Sequence, residues 1–138
     1  MNVITVAPGV QFSIIAPSGF ALLAALWETG QEMGRDLVIT SGTDGMHSGN
    51  LDPHHAGCAY DVRSHDMDEV TKSVFVDKVL AHFGTPIVNS GGYVTDYFFG
   101  WLENAGTDNE HFHFQLRHGK TYPPSNNGDN VQQAVEEG

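Results

Sequence analysis

The sequence predicts one α+β domain in which a small antiparallel sheet carries its helices on one face. Two long segments show the three- and four-residue apolar spacing of amphipathic helices, and short runs of β-branched and aromatic residues lie between glycine-rich turns. The chain has 138 residues, and domains of about 100–150 residues usually bury a single core. We therefore expect residues 1–122 to fold as one domain.

Both helices are predicted from their apolar spacing and their ends. The first spans residues 17–33, with Ser18 near its start as a cap and a glycine directly after it. The second spans about 67–83, and either Asp66 or Asp68 can cap it. The apolar stripes that should face the sheet are Phe20, Leu23, Leu26 and Trp27 in the first helix, and Val70, Val74, Val79 and Leu80 in the second.

Extended segments alternate with these helices. The predicted strands cover residues 37–40, 58–62, 87–88, 93–99 and 111–116. A loop rich in Gly, Asp, Asn, Ser and His runs from Thr43 to His55 and leads into the second of these strands. Loops of this length in a compact domain are usually functional or disordered, and this one ends in histidines and lacks the composition of a linker, so we expect it to belong to the site.

Composition excludes several classes of protein. Six Lys and Arg against 17 Asp and Glu give a net charge of -11, which disfavours binding to nucleic acid and to anionic lipid. The single cysteine, Cys58, cannot form an internal disulfide. The sequence contains no run of 18 or more apolar residues, so membrane insertion is not predicted. Residues 123–138 are too polar to bury a core, so we expect a flexible tail.

Two histidine-bearing segments supply a candidate metal site. Residues 54–61 read His-His-Ala-Gly-Cys-Ala-Tyr-Asp, and residues 110–113 read Glu-His-Phe-His. Zinc accepts imidazole nitrogen and carboxylate oxygen, and a catalytic site uses three protein ligands with the fourth position left for water. His54, Asp61 and His113 satisfy that count, so we expect one Zn²⁺ ion.

Strand alternation arranges the second of these segments. His111 and His113 would share one face of a strand, while Phe112 would point into the core. Hydrolysis also needs a group that moves a proton, and both Glu110 and His111 lie close enough to His113 in the sequence to serve. The residues alone leave these two alternatives open.

Two motifs carry a resemblance to a known family: His-x-x-Gly-x-Ala-x-Asp at residues 54–61 and Glu-x-x-His at residues 110–113. They resemble the signature of the zinc D-Ala-D-Ala carboxypeptidases and dipeptidases and of the phage L-alanyl-D-glutamate endolysins, whose fold the hedgehog signalling domain shares. The resemblance extends from about Leu37 to about Leu116. The His-x-His at residues 111–113 is similar to a variant found in the same superfamily.

This resemblance implies a hedgehog/DD-peptidase-like fold and a role for each motif residue. It implies that His54, Asp61 and His113 are the zinc ligands and that Glu110 is the catalytic base. The odd separation of Glu110 from His113 would then be absorbed by a bend or bulge just before the ligand strand. In the His-x-His variant, the residue that matches His111 assists catalysis.

Two departures from the family pattern concern substrate recognition. The family usually has Ser two residues before the first ligand, where this chain has Asp52, and it usually has Arg after the Ser41-Gly42 turn, where this chain has none. His47 and Arg63 remain as candidates for binding a peptide carboxylate, because Arg can form a bidentate pair with it and His can donate a hydrogen bond.

The resemblance implies a zinc metallopeptidase that hydrolyses a peptide bond of bacterial peptidoglycan, of the D-Ala-D-Ala carboxypeptidase or the L-alanyl-D-glutamate endopeptidase type, as a phage endolysin does. The alternative is a non-hydrolytic zinc-containing binding or virion structural module of the same fold. The N-terminal segment lacks a secretory signal pattern. We therefore expect a monomer that is cytoplasmic as synthesised and acts on the cell wall after release, or is virion-associated.

Overall fold

Seven strands and two helices are present in residues 1–44, 57–90 and 92–124, which are the residues that the computed structural model describes. In chain order they are β1 (Ile4–Val6), α1 (Pro17–Met33), β2 (Leu37–Ser41), β3 (Ala59–Arg63), α2 (Glu69–Ala81), β4 (Ile87–Asn89), β5 (Gly92–Val94), β6 (Phe98–Glu103) and β7 (His111–Leu116). The α+β class predicted from the sequence is confirmed. The predicted tail beyond residue 124 lies outside the described residues.

One sheet contains all of these strands, in the order β1-β2-β3-β7-β6-β5-β4. Every neighbouring pair is antiparallel except β1 and β2, which run parallel. The sheet is therefore mixed, and not antiparallel throughout as predicted. The parallel edge strand β1 was not predicted, because its three residues are too few for strand periodicity to stand out. The segment predicted as one strand at 93–99 is split at Thr95, whose Oγ1 accepts a hydrogen bond from the amide of Phe98 at 3.1 Å.

The ends of α1 follow from the residues at its termini. Pro17 begins the helix, where its fixed φ suits the first turn and its missing N–H costs no bond. Ala16 is the N-cap residue and no side chain caps the helix, so the prediction of Ser18 as the cap is wrong. Gly34 ends the helix in the left-handed conformation with φ 66°, as its position in the sequence predicts.

The apolar stripes of both helices are rotated relative to the prediction. The buried apolar residues are Leu22, Ala25 and Leu26 of α1 and Phe75, Val76, Val79 and Leu80 of α2. By contrast, Phe20 and Trp27 of α1 and Val70 and Val74 of α2 are exposed. Apolar spacing predicts that a stripe exists, but it does not distinguish between two overlapping stripes when both contain large apolar residues.

One face of the sheet packs against both helices. Phe112 and Phe114 of β7 and Phe98 of β6 are fully buried, and the ring of Phe75 lies 4.8 Å from that of Phe112. Gly100 permits this packing, because a β-carbon there would lie 2.8 Å from the ring of Phe114. Alternate residues of β3, β7 and β6 therefore point to the opposite face, where the candidate ligands lie.

The start of α2 is fixed by one of the two predicted caps. The Asp68 side chain accepts a hydrogen bond from the amide of Thr71 at 2.7 Å. The side chain of Thr71, followed by this amide, lowers the pKa of Asp68 below its ordinary value. Asp66 lies two residues outside the cap position and does not take this role.

Replacing Asp68 with alanine should lower the free energy of unfolding by about 1 kcal/mol, because the first turn of α2 loses an acceptor for one of its free amides. Asp66→Ala is the matched control, since it removes the same charge nearby and leaves the cap intact. Denaturant unfolding of both variants, followed by circular dichroism, measures the difference. Equal destabilisation by the two substitutions would contradict the capping role.

Candidate metal centre

The sheet face opposite the core, called here the polar face, carries three rows of side chains that cross β3, β7 and β6. The rows are Ala59, Gln115 and Phe99; Asp61, His113 and Trp101; and Arg63, His111 and Glu103. Each row follows from strand register, since residues directly opposite in antiparallel strands have β-carbons about 4.5–5.5 Å apart. The middle row contains two of the predicted zinc ligands.

Asp61 and His113 lie opposite each other on β3 and β7 and are in contact. Nδ1 of His113 is 2.9 Å from Oδ1 of Asp61, and the two residues are only 9% and 7% exposed. Two ligands of one tetrahedral zinc ion, each about 2.0–2.2 Å from it, lie about 3.3–3.6 Å apart. Opening the pair by less than an ångström would admit the ion, so both residues fit the positions predicted for them.

The other ring nitrogen of His113 is bonded to a residue that the motifs do not contain. Nε2 lies 2.8 Å from Oε1 of Gln115, and the ring of Trp101 stacks on the imidazole with the centroids 4.5 Å apart. Donation from Nε2 to Gln115 leaves Nδ1 directed at Asp61, which is how outer hydrogen bonds orient metal-binding histidines. Gln115 could have been predicted from the sequence, because it lies two residues after His113 and therefore shares a face of the strand with it.

The charge of Asp61 favours a proton on His113. Burial opposes the charged imidazole, but the hydrogen bond from His113 to Asp61 and the charge of that carboxylate, followed by Gln115 and Glu103, raise the pKa of His113 above its ordinary value. A metal ion that binds at Nδ1 has to displace this proton. Acid therefore competes with metal for the pair.

The predicted ligand His54 and the predicted substrate-binding residue His47 lie outside the described residues. Within residues 1–44, 57–90 and 92–124, no three His, Cys, Asp or Glu side chains are arranged to hold a metal ion. Of the three predicted ligands, the described part of the chain contains Asp61 and His113.

His111 lies beside this pair on the polar face, as strand alternation predicts. Its Nδ1 is 2.6 Å from the backbone oxygen of Asn109, which can only accept a hydrogen bond, so Nδ1 is the donor. Its Nε2 faces two carboxylates, at 2.9 Å from Oε1 of Glu103 and 3.5 Å from Oδ2 of Asp61. Nε2 is therefore the nitrogen that can exchange a proton with a molecule bound beside Asp61.

Glu110, the other predicted catalytic residue, does not reach the polar face. Its carboxylate accepts hydrogen bonds from Oγ of Ser64 at 2.7 Å and from the amide of Gly106 at 2.9 Å, and it lies 2.7 Å from Nζ of Lys72 on α2. The bulge expected before the ligand strand is not seen, because β7 pairs with both of its described neighbours without a register shift. The side chain of Glu110 is therefore not turned to the polar face. Glu110 consequently faces the helix side of the sheet.

The surroundings of Glu110 suit an anchor better than a base. The hydrogen bond from Lys72, followed by those from Gly106 and Ser64, lowers the pKa of Glu110 to about 2, although burial acts in the opposite direction. A general base works best with a pKa near the operating pH. In the structure, Glu110 forms a buried ion pair that ties α2 to the start of β7.

Two clefts adjoin the rows, one beside Arg63 and His111 and the other beside Phe99, Trp101 and Gln115. One, of about 230 Å³, is lined by Thr40, Arg63, His65, Asp108, Asn109, Glu110 and His111. The other, of about 270 Å³, is lined by Asn89, Ser90, Gly92, Tyr93, Phe99, Gly100, Trp101 and Gln115, none of which is charged. Arg63 is exposed and lies opposite His111, so its guanidinium can meet a carboxylate bound in the first cleft.

No family model matches the chain, and no curated protein or solved structure matches it either. The family resemblance therefore depends on the motifs at residues 54–61 and 110–113. Among the residues that the structure describes, no helix combines the length and the apolar character needed to cross a membrane.

Glu110→Gln should lower the melting temperature at neutral pH, because it removes the charge that pairs with Lys72 in a buried position. The pKa of Glu110 falls from 4.5 to about 2 on folding, so its contribution to stability is complete above about pH 4.5 and is lost as the pH falls towards 2. Thermal unfolding of wild type and variant from neutral to acidic pH should therefore give melting temperatures that converge in acid.

The control for this measurement is Glu69→Gln. Glu69 pairs with the same Lys72, but its side chain is 85% exposed, so its removal should change the melting temperature little. If Glu110→Gln and Glu69→Gln have equal effects, or if the difference between Glu110→Gln and wild type is independent of pH, then Glu110 is not the anchor inferred from the geometry.

Proposed function

We propose that this chain is a zinc-dependent metallopeptidase that hydrolyses a peptide bond of bacterial peptidoglycan. The observation that carries the proposal is the buried contact between Asp61 and His113, with His111 next to it on the same face. A carboxylate and an imidazole on neighbouring strands match two of the three ligand positions in the motif. His54 would supply the third.

His54, Asp61 and His113 would hold one zinc ion, with Gln115 orienting the imidazole of His113. When bound, zinc lowers the pKa of a coordinated water towards about 7 and polarises the carbonyl group that is attacked. The protein contributes low solvent exposure at Asp61 and His113, which strengthens the electrostatic effect of charges near the reacting atoms.

His111 is the residue that we propose to move protons. Its Nε2 lies 3.5 Å from Asp61 and can take a proton from the attacking water and return it to the leaving amine. Its Nδ1 donates to a backbone carbonyl, so Nε2 is the nitrogen that gains and loses the proton, and Glu103 accepts the hydrogen on Nε2 when it is present. Glu110 is not assigned this role because its carboxylate is bonded on the helix side of the sheet.

Arg63, together with His47, would bind a carboxylate of the substrate. The D-Ala-D-Ala and the L-alanyl-D-glutamate bonds both have a free carboxylate nearby, so the charge of Arg63 suits either peptidase type. The second cleft has no charged lining residue, which suits an uncharged part of the substrate. A phage endolysin that acts on the cell wall after release from the cytoplasm, or a virion component, would meet such substrates.

The alternative is a zinc-containing binding or virion structural module that does not hydrolyse its ligand. One observation favours it: the glutamate of the Glu-x-x-His motif is engaged in an ion pair with Lys72 and is turned away from Asp61 and His113. A module of this kind needs the ligands to hold its metal and fold, but it needs no residue that moves protons.

The purified protein should bind one equivalent of zinc, and His54→Ala, Asp61→Ala and His113→Ala should each abolish tight binding. Affinity should also decrease as the pH is lowered, because the raised pKa of His113 retains a competing proton. Competition with a chromophoric chelator between about pH 8 and pH 5 measures both effects. The control is His118→Ala, which removes an exposed histidine. Affinity that does not depend on pH, or that survives loss of one ligand, would contradict the assignment.

Zinc-loaded protein should release amines from purified peptidoglycan or from D-Ala-D-Ala peptides, and mass analysis of the fragments identifies the bond. His111→Gln should keep its zinc and lose activity on the order of 10²–10⁴-fold, because it removes the proton-transfer group. Glu110→Gln, assayed where it remains folded, should keep a rate close to that of wild type.

Two outcomes of this assay would change the conclusion. If the zinc-loaded wild type releases nothing from any of these substrates, the non-hydrolytic alternative is favoured. If Glu110→Gln abolishes activity and His111→Gln does not, the proton-transfer role passes to Glu110.

A further inference from the structure

We infer that Glu103 is a positioning residue for His111, a role that neither sequence motif assigns to it. The inference rests on the proposed function, because His111 is the residue proposed to move protons. Glu103 is the last residue of β6 and lies directly opposite His111 in the register of β6 and β7. The two side chains therefore meet on the polar face, next to Asp61.

The imidazole of His111 is held at both of its nitrogens. Nδ1 is 2.6 Å from the carbonyl oxygen of Asn109, and Nε2 is 2.9 Å from Oε1 of Glu103. Two hydrogen bonds on opposite sides of a ring fix its plane, and Glu103 accepts the hydrogen on Nε2. Without Glu103, only the bond to Asn109 and the longer 3.5 Å contact with Asp61 would remain.

The same carboxylate also reaches the side chain that packs on the ligand His113. Oε2 of Glu103 is 3.4 Å from Nε1 of Trp101, and the Trp101 ring stacks on the imidazole of His113 at a centroid distance of 4.5 Å. At 3.4 Å this contact of Glu103 with Trp101 is weaker than the 2.9 Å bond to His111, so we assign Glu103 to His111 and expect zinc binding to survive its loss. Outer hydrogen bonds of this kind typically change metal affinity or activity by about 10–100-fold.

Glu103, and not the motif residue Glu110, is the glutamate that bonds His111. Glu110 carries the motif position but is bonded to Lys72 and Ser64 on the helix side. Glu103 lies on the polar face, where its carboxylate accepts the hydrogen on Nε2 of His111 and holds the ring in place for proton transfer. Its side chain is 41% exposed, so substitution at this position leaves no cavity in the core.

The test compares Glu103→Ala and Glu103→Gln with wild type, and Glu69→Gln serves as the exposed control. Glu103→Ala should lower kcat by about 10–100-fold while KM and zinc content stay close to those of wild type. Glu103→Gln should recover part of this loss, because its amide oxygen can still accept the hydrogen on Nε2. Glu69→Gln should leave kcat unchanged.

A second measurement uses the metal-free protein and does not depend on hydrolysis. Nitrogen-15 NMR of the histidine side chains should show a shifted Nε2 signal for His111 in Glu103→Ala and a faster exchange of its hydrogen with water. Glu103→Gln should lie between wild type and Glu103→Ala in both respects.

The inference is overturned if Glu103→Ala keeps the wild-type kcat and the wild-type His111 signals. It is also overturned if both substitutions unfold the protein or release zinc, because Glu103 would then support the fold or the metal and not His111. If the wild-type protein hydrolyses none of the substrates, only the proposed function is contradicted. The NMR comparison still decides whether Glu103 orients His111.

Discussion

The antiparallel pairing of β3 with β7 is the constraint on which both the core and the candidate metal centre depend. In this register Asp61 lies opposite His113 and Val62 lies opposite Phe112. The first pair brings a carboxylate and an imidazole into contact, and the second packs two fully buried side chains under the helices. A shift of the register by one residue would reverse the faces of both pairs, so the core that selects the register also selects the site.

Much of the fold could be predicted from local patterns, because helix ends and buried strands have local causes. Pro17, Gly34 and Asp68 act within one turn of their own positions, and the predicted bounds of α1 and β7 agree with the structure. Which stripe of each helix meets the sheet was not predictable in the same way. That choice depends on partners distant in sequence, and Phe20 and Val70 are as apolar as the residues that are buried instead.

The candidate site also contains some residues that local patterns predict and others that depend on the pairing of distant strands. Asp61, His113 and His111 were predicted from spacing, and Gln115 could have been, because alternation along one strand places it with His113. Glu103 could not, since it reaches His111 only through the pairing of β6 with β7. The motif does not indicate which face Glu110 occupies: without a bulge in β7, the odd separation puts its side chain on the face opposite to His113.

The separation of the two faces of β7 has a consequence for how such a protein can evolve. Phe112 and Phe114 hold the strand in the core, whereas His111, His113 and Gln115 project away from it. Inherited changes at alternate positions therefore act on different properties, one set on folding and the other on chemistry. A lineage can replace the histidines of the polar face while the scaffold survives, and proteins with different activities can then descend from one gene.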